Sequence, residues 1–156
     1  MKYLLSSLIL SLLASGCSIE TKEATETVAA DNQVMFRILS QGQSSGLAQQ
    51  KFLTLRSLTE FAELWTIHSQ TSPAAMPKIN FKRQMVIAVF MGEQHTGGYA
   101  IRIENIIESG ETLQVEVALS KPRPGSRRVM MITQPNMIVV LPRSDKKIIY
   151  RFRSNP

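Results

Sequence analysis

The sequence has a single cysteine, Cys17, so no internal disulfide can form. It has two histidines, His68 and His95, and neither sits in H-E-x-x-H or in a dense group of acids, the patterns that hold a catalytic or structural metal. G-x-G-x-x-G is missing, and no lysine follows a glycine as in G-K-[ST], which removes the loops that cradle phosphates. Acids run out along the chain: after Glu116 only Asp145 remains. One histidine would need a paired nucleophile and an orienting group, and no spacing here picks out such a triad. These absences lead us to expect no catalytic residue, no metal and no cofactor.

What is present begins with MKYLLSSLILSLLASGC. Lys2 gives a positive end, Leu4 to Leu13 an apolar run, and Ala14, Ser15 and Gly16 a small-residue site. The run is shorter than the about 20 apolar residues that a spanning helix needs, so it reads as an export signal. It resembles lipoprotein signals, in which the residue after the cut is a lipid-bearing cysteine. The large aliphatic residue, Leu13, stands one place earlier than usual. The alternative is an ordinary secretory signal that contains a cysteine. Lipidation gives the lone thiol a purpose in an oxidising compartment, and several acyl chains would anchor it stably. Ser18 resembles the outer-membrane-sorted class of lipoproteins, in which an aspartate at this place would mean retention at the inner membrane. The expected organisation is a signal over 1–16, the lipidated Cys17 with a flexible tether over 17–33, and one domain over 34–156. The tether is rich in Glu, Thr and Ala and too poor in apolar groups to offset the entropy of ordering it. A short helix over Glu20 to Ala30 is the alternative there.

The domain is long enough for one core and not two. Val34 to Leu39 and Gln50 to Leu55 read as strands, with a loop around Gly42 and Gly46. Ser57 and Glu60 have capping-box spacing, and Leu58, Phe61, Ala62, Leu64, Trp65 and His68 recur at helical intervals. His68 would be a cap or a partly buried polar contact. Pro73 and Pro77 close the helix. Met85 to Phe90 is apolar on both faces, which suits a central strand covered on two sides, or a buried helical segment. Ala100 to Ile106 and Thr112 to Leu119 alternate around a turn at Glu108 to Glu111. Val129 to Ile132, Asn136 to Leu141 and Lys147 to Phe152 complete the strands. The expected fold is α+β, mainly β: a twisted antiparallel sheet or small sandwich with one packed helix.

The connection FMGEQHTGGY carries Gly92, Gly97 and Gly98 and ends on Tyr99. Such glycines allow left-handed dihedrals or close backbone approach. His95, Thr96, Gly97, Gly98 and Tyr99 would form a loop that docks a partner; alternatively Tyr99 caps the core. Phe81 to Leu141 resembles the carboxy-terminal domain of the PrcB family of lipoproteins. The resemblance rests on Met85 to Phe90, Gly92-Glu93, Thr96-Gly97-Gly98-Tyr99, the proline-containing loop at Pro122 to Gly125, and Gln134-Pro135 before Met137-Ile138-Val139. It implies an accessory component of a surface protease complex, neither a protease nor a catalytic residue. The same loop has a distant likeness to the T-G-Y loop of small cysteine protease inhibitors.

Residues 121–156 hold nine Lys or Arg against Asp145 alone. Lys121, Arg123, Arg127, Arg128, Arg143, Lys146 and Lys147 are candidates for an anionic contact, with lipid headgroups or a polyanion as partner. A solvated rim is the plainer reading. Export argues against nucleic acid. The leading reading is a non-catalytic envelope protein, lipid-anchored at the outer membrane, facing the periplasm and docking to an envelope protein or protease. The alternatives are a peptidase inhibitor acting through the His95–Tyr99 loop, and a structural envelope lipoprotein.

Overall fold

The computed structural model describes residues 32–155 apart from residue 72. The expected signal, Cys17 and all of the tether except Asn32 and Gln33 lie outside the described residues. Among the described residues, seven strands and one helix follow in the order β1 (Arg37–Gly42), β2 (Lys51–Leu55), α1 (Leu58–Thr71), β3 (Gln84–Phe90), β4 (Ala100–Ser109), β5 (Thr112–Ser120), β6 (Asn136–Pro142) and β7 (Lys147–Asn155). They form a four-stranded sheet, β1-β6-β3-β2, and a three-stranded sheet, β4-β5-β7. The fold is thus α+β and mainly β, a small sandwich with one helix packed on it.

The helix accounts for the strand that is apolar on both faces. Side chains alternate along a strand, so Met85, Ile87 and Val89 enter the core between the two sheets. Val86, Ala88 and Phe90 enter a second core under α1, with Phe61, Leu64 and Trp65. The neighbouring β6 divides in the same way, Met137, Val139 and Leu141 against Ile138 and Val140. Two cores on one sheet require central strands without a polar face, and β3 and β6 are those strands.

The capping box forms as its spacing predicts. Ser57 Oγ accepts from the Glu60 N–H at 3.3 Å, and the Glu60 carboxylate accepts from the N–H groups of Ser57 and Arg56 at 3.1 and 2.9 Å. The Arg56 N–H, and after it Ser57, hold the Glu60 carboxyl below its ordinary range. Trp65 is buried, and its indole N–H donates to the Ala74 carbonyl at 3.1 Å, tying the chain after the helix back onto it.

Four expectations need correction. The first strand begins at Arg37 rather than Val34. The Val34 N–H is already bound to the Ile106 carbonyl at 2.8 Å, so this segment leaves one sheet before joining the other. Leu58 is 55% exposed, because the first helical residue points off the buried face. The pairing of β5 with β7 is parallel; the chain crosses to the other sheet as β6 and returns in the original direction. Finally, Val129 to Ile132 is not a strand, and all four side chains face solvent. The β4 alternation also breaks at a bulge between Ile103 and Asn105, which puts Ile106 into the core.

Candidate docking surface

Three loops meet at one end of the sandwich: residues 43–50 after β1, 91–99 between β3 and β4, and 121–135 between β5 and β6. Backbone bonds stitch them together. The Gln94 N–H donates to the Thr133 carbonyl at 2.8 Å and the Thr133 N–H donates back at 2.9 Å. The Met91 N–H reaches the Pro135 carbonyl at 2.9 Å, Glu93 reaches Ala48 at 2.9 Å, and Gly97 reaches Val129 at 3.0 Å. Thr133 Oγ donates to the Thr96 carbonyl at 3.2 Å.

Two amides that sequence reasoning did not single out for a role complete this end. The Gln134 side-chain oxygen accepts the Gly46 N–H at 2.9 Å. Asn136 is buried, and its amide nitrogen lies within hydrogen-bonding reach of the carbonyls of Ser44 at 2.9 Å, Gln134 at 3.2 Å and Gly42 at 3.3 Å. The available signal was two amides flanking Pro135 just before an apolar strand.

Within the 91–99 loop glycine is required at two places. Gly92 has φ +78°, and a Cβ there would lie 2.8 Å from the Gln50 nitrogen. Gly98 has φ +92°, and a Cβ would lie 2.9 Å from Pro122 Cβ. Both are left-handed positions in which a side chain would also collide, so the 91–99 loop lies tight against the 43–50 loop at Gly92 and against the 121–135 loop at Gly98.

On this frame His95 is exposed, Thr96 and Gly97 are half-buried, and Gly98 is exposed. Tyr99 is half-buried and packs against the core between the sheets; its carbonyl accepts from the Gln43 amide at 3.2 Å. Directly beside Gly97 runs the segment expected to be a strand. Val129 is 67% exposed, Met130 83%, Met131 55% and Ile132 60%. The Met131 N–H bonds the Val129 carbonyl at 3.0 Å, an i to i+2 closure that turns the chain at Met130 and throws its side chain outward.

The basic candidates divide. Lys121, Arg123, Arg127 and Arg128 are exposed in the same loop as the apolar run. Arg143, Lys146 and Lys147 lie at the other end of β5, because Thr112 pairs with Lys147 while Lys121 follows Ser120. Nine residues of strand separate the groups, about 30 Å. Arg143 donates to the carbonyls of Phe81 and Arg56 at 2.9 and 3.2 Å and meets Asp145 at 3.6 Å. Lys146 meets Glu108 at 2.7 Å. The run of cations in the sequence is therefore two sites, and in the second Arg143 and Lys146 are already engaged.

His68 is a polar contact rather than a cap, and more deeply buried than expected. It is buried, and its Nε2 lies 2.8 Å from Ser40 Oγ on β1. Burial pushes its imidazole below the ordinary value, with the Ser45 backbone opposing. The Nδ1 atom has no partner in good hydrogen-bond geometry. A serine–histidine pair used for catalysis needs a group that orients the far nitrogen, and this pair has none; it joins α1 to β1. Among the described residues no three His, Cys, Asp or Glu gather as metal ligands, and no helix is long and apolar enough to cross a membrane.

Residues 85–142 match the family model described as PrcB C-terminal. Over that segment, well under half of the chain, the protein is similar to the PrcB C-terminal family. No curated protein and no solved structure matches the chain. The PrcB segment runs from β3 to the end of β6, so it contains both central strands, the β4–β5 hairpin and the two loops that carry His95 to Tyr99 and Val129 to Ile132. β1, β2, α1 and β7 lie outside it.

Proposed function

We propose that this is a lipid-anchored accessory protein of the cell envelope, without chemistry of its own, that docks a partner through the loop end of its sandwich. Cys17 is the anchor, residues 1–16 the signal, 17–33 the tether and 34–156 the docking domain. Ser18 favours the outer membrane, with the domain facing the periplasm. The observation that carries the docking reading is the exposed run Val129-Met130-Met131-Ile132 beside the 94–99 loop. Contiguous exposed apolar side chains rimmed by charge mark interaction sites, and Met and Arg are enriched in interfaces. Lys121, Arg123, Arg127 and Arg128 supply that rim and favour an acidic partner surface. The similarity of residues 85–142 to the PrcB C-terminal model supports a component of a protease complex as the partner class.

The inhibitor alternative is less well supported. A plug for a peptidase cleft needs its large side chain at the tip, and Tyr99 lies half-buried against the core while His95 occupies the tip. Photo-crosslinking in cells tests the docking proposal. A crosslinker at Met130 and one at His95 should trap the same envelope protein, and one at Lys82, at the opposite end, should not. Identical adducts from all three positions, or none from Met130, would overturn it.

A further inference from the structure

The end of the sandwich opposite these loops holds a cleft of about 620 Å³ where β1, β3 and β6 come together. Its polar lining is Arg37, Asn80, Arg83 and Gln84. Among the described residues neither arginine meets a carboxylate. The two amides are fixed by the backbone: the Gln84 side-chain oxygen accepts the Asn80 N–H at 3.2 Å, and the Asn80 side-chain oxygen accepts the Lys82 N–H at 3.1 Å. An N–H must face an oxygen, so both NH₂ groups are left over as donors. The cleft's polar side chains thus present two guanidinium groups and two amide NH₂ groups, all free to donate. Met35, 80% exposed, and Phe36 add apolar surface beside them.

From this geometry we infer that the cleft binds the phosphate of an anionic phospholipid, with Arg37 and Arg83 on the phosphate oxygens and Met35 and Phe36 against the glycerol and upper acyl chain. Guanidinium groups match phosphate oxygens in charge and in fork geometry. The position names the source. Residues 32–34 run into the cleft wall at Met35, so a chain anchored at Cys17 enters the domain at this end. The choice of lipid over soluble phosphate rests on the anchoring reading; the anion chemistry does not.

The test is NMR on the full chain in maltoside micelles, following the side-chain amide signals of Asn80 and Gln84. Phosphatidylglycerol added to the micelle should shift both, and phosphatidylcholine should not. The double variant Arg37→Gln with Arg83→Gln should weaken the effect roughly ten-fold or more, while Lys82→Gln, beside the cleft but outside its lining, should leave it unchanged. Equal responses to the two lipids, or a double variant that still responds fully, overturn the site. Inorganic phosphate acting as strongly as the lipid would overturn the lipid assignment. The mass of the mature chain tests the anchor separately, since phosphatidylglycerol should still shift the amides in Cys17→Ser.

Discussion

The two ends of the sandwich treat their basic residues in opposite ways. Around 143–147, Arg143 and Lys146 reach backbone carbonyls and acids of neighbouring segments, and Arg56 donates to the Ser144 and Lys146 carbonyls. There the cations close a turn. Around 121–132, Arg128 donates to the Arg123 carbonyl within its own loop, and the apolar side chains beside it face solvent. What holds this end together lies beneath, in Asn136, Gln134 and the backbone pairs of 94–97. Similar composition therefore serves folding at one end and leaves a surface to spare at the other.

The largest expected effect falls on the hidden part of the loop end. Asn136→Ala leaves the Ser44, Gln134 and Gly42 carbonyls without this donor. The amide is buried, but Ser44 is exposed and Gly42 and Gln134 are half-buried, so water can take over part of the lost bonding, and a loss of about 2 kcal/mol is expected in urea melts. A loss below about 1 kcal/mol would mean that the loops hold together without it. At the opposite end, Arg143→Met should cost about 1 kcal/mol, discounting for the solvent exposure of the side chain. Arg128→Met should stay within about 0.5 kcal/mol, as surface changes do. Equal losses for the two arginines would erase the contrast between the ends.

Much of this contrast was hidden in the sequence, for physical reasons. Periodicity reports burial where neighbours are local, and so α1, β3 and the β4–β5 hairpin were legible. Val129-Met130-Met131-Ile132 has the composition of a strand, but the Val129 carbonyl is taken by the Gly97 N–H and by the Met131 N–H of its own turn. The split of the cations was also out of reach, since only the pairing of Thr112 with Lys147 shows that residues close in sequence sit at opposite ends. The T-G-G-Y loop was legible as a shaped connection. What its glycines meet, Pro122 and the Gln50 backbone, depends on chain folded from elsewhere.

A smaller effect should follow pH. His68 is buried against Ser40, Trp65 and the Ser45 backbone. Burial lowers its folded pKa below the unfolded value of about 6.5. The unfolded chain then binds more protons between the two values, so stability is complete above the unfolded value and declines as pH falls through this window. Melts at pH 7.5 and pH 5 should show the decline in the parent and a shallower one in His68→Gln. Equal slopes would place the titration elsewhere.

The smallest effect on stability is expected where the effect on function should be greatest. Met130→Ser with Met131→Ser removes two side chains that mostly face solvent, and surface changes of this kind stay within about 0.5 kcal/mol. In a docked complex the same side chains would be worth up to about 1.5–3 kcal/mol each on full burial, so partner capture should fall well over ten-fold while the melt stays put. Tyr99→Ala is the necessary companion. Its ring packs on the core between the sheets, so it should lower the melting point first and lose partner capture only in proportion. His95→Ala should leave the melt alone and weaken capture modestly, as a single exposed ring at the loop tip would. If the methionine pair proves silent in capture and Tyr99→Ala abolishes it without destabilising the fold, the docking surface is centred on the tyrosine after all, and the exposed apolar run has another use.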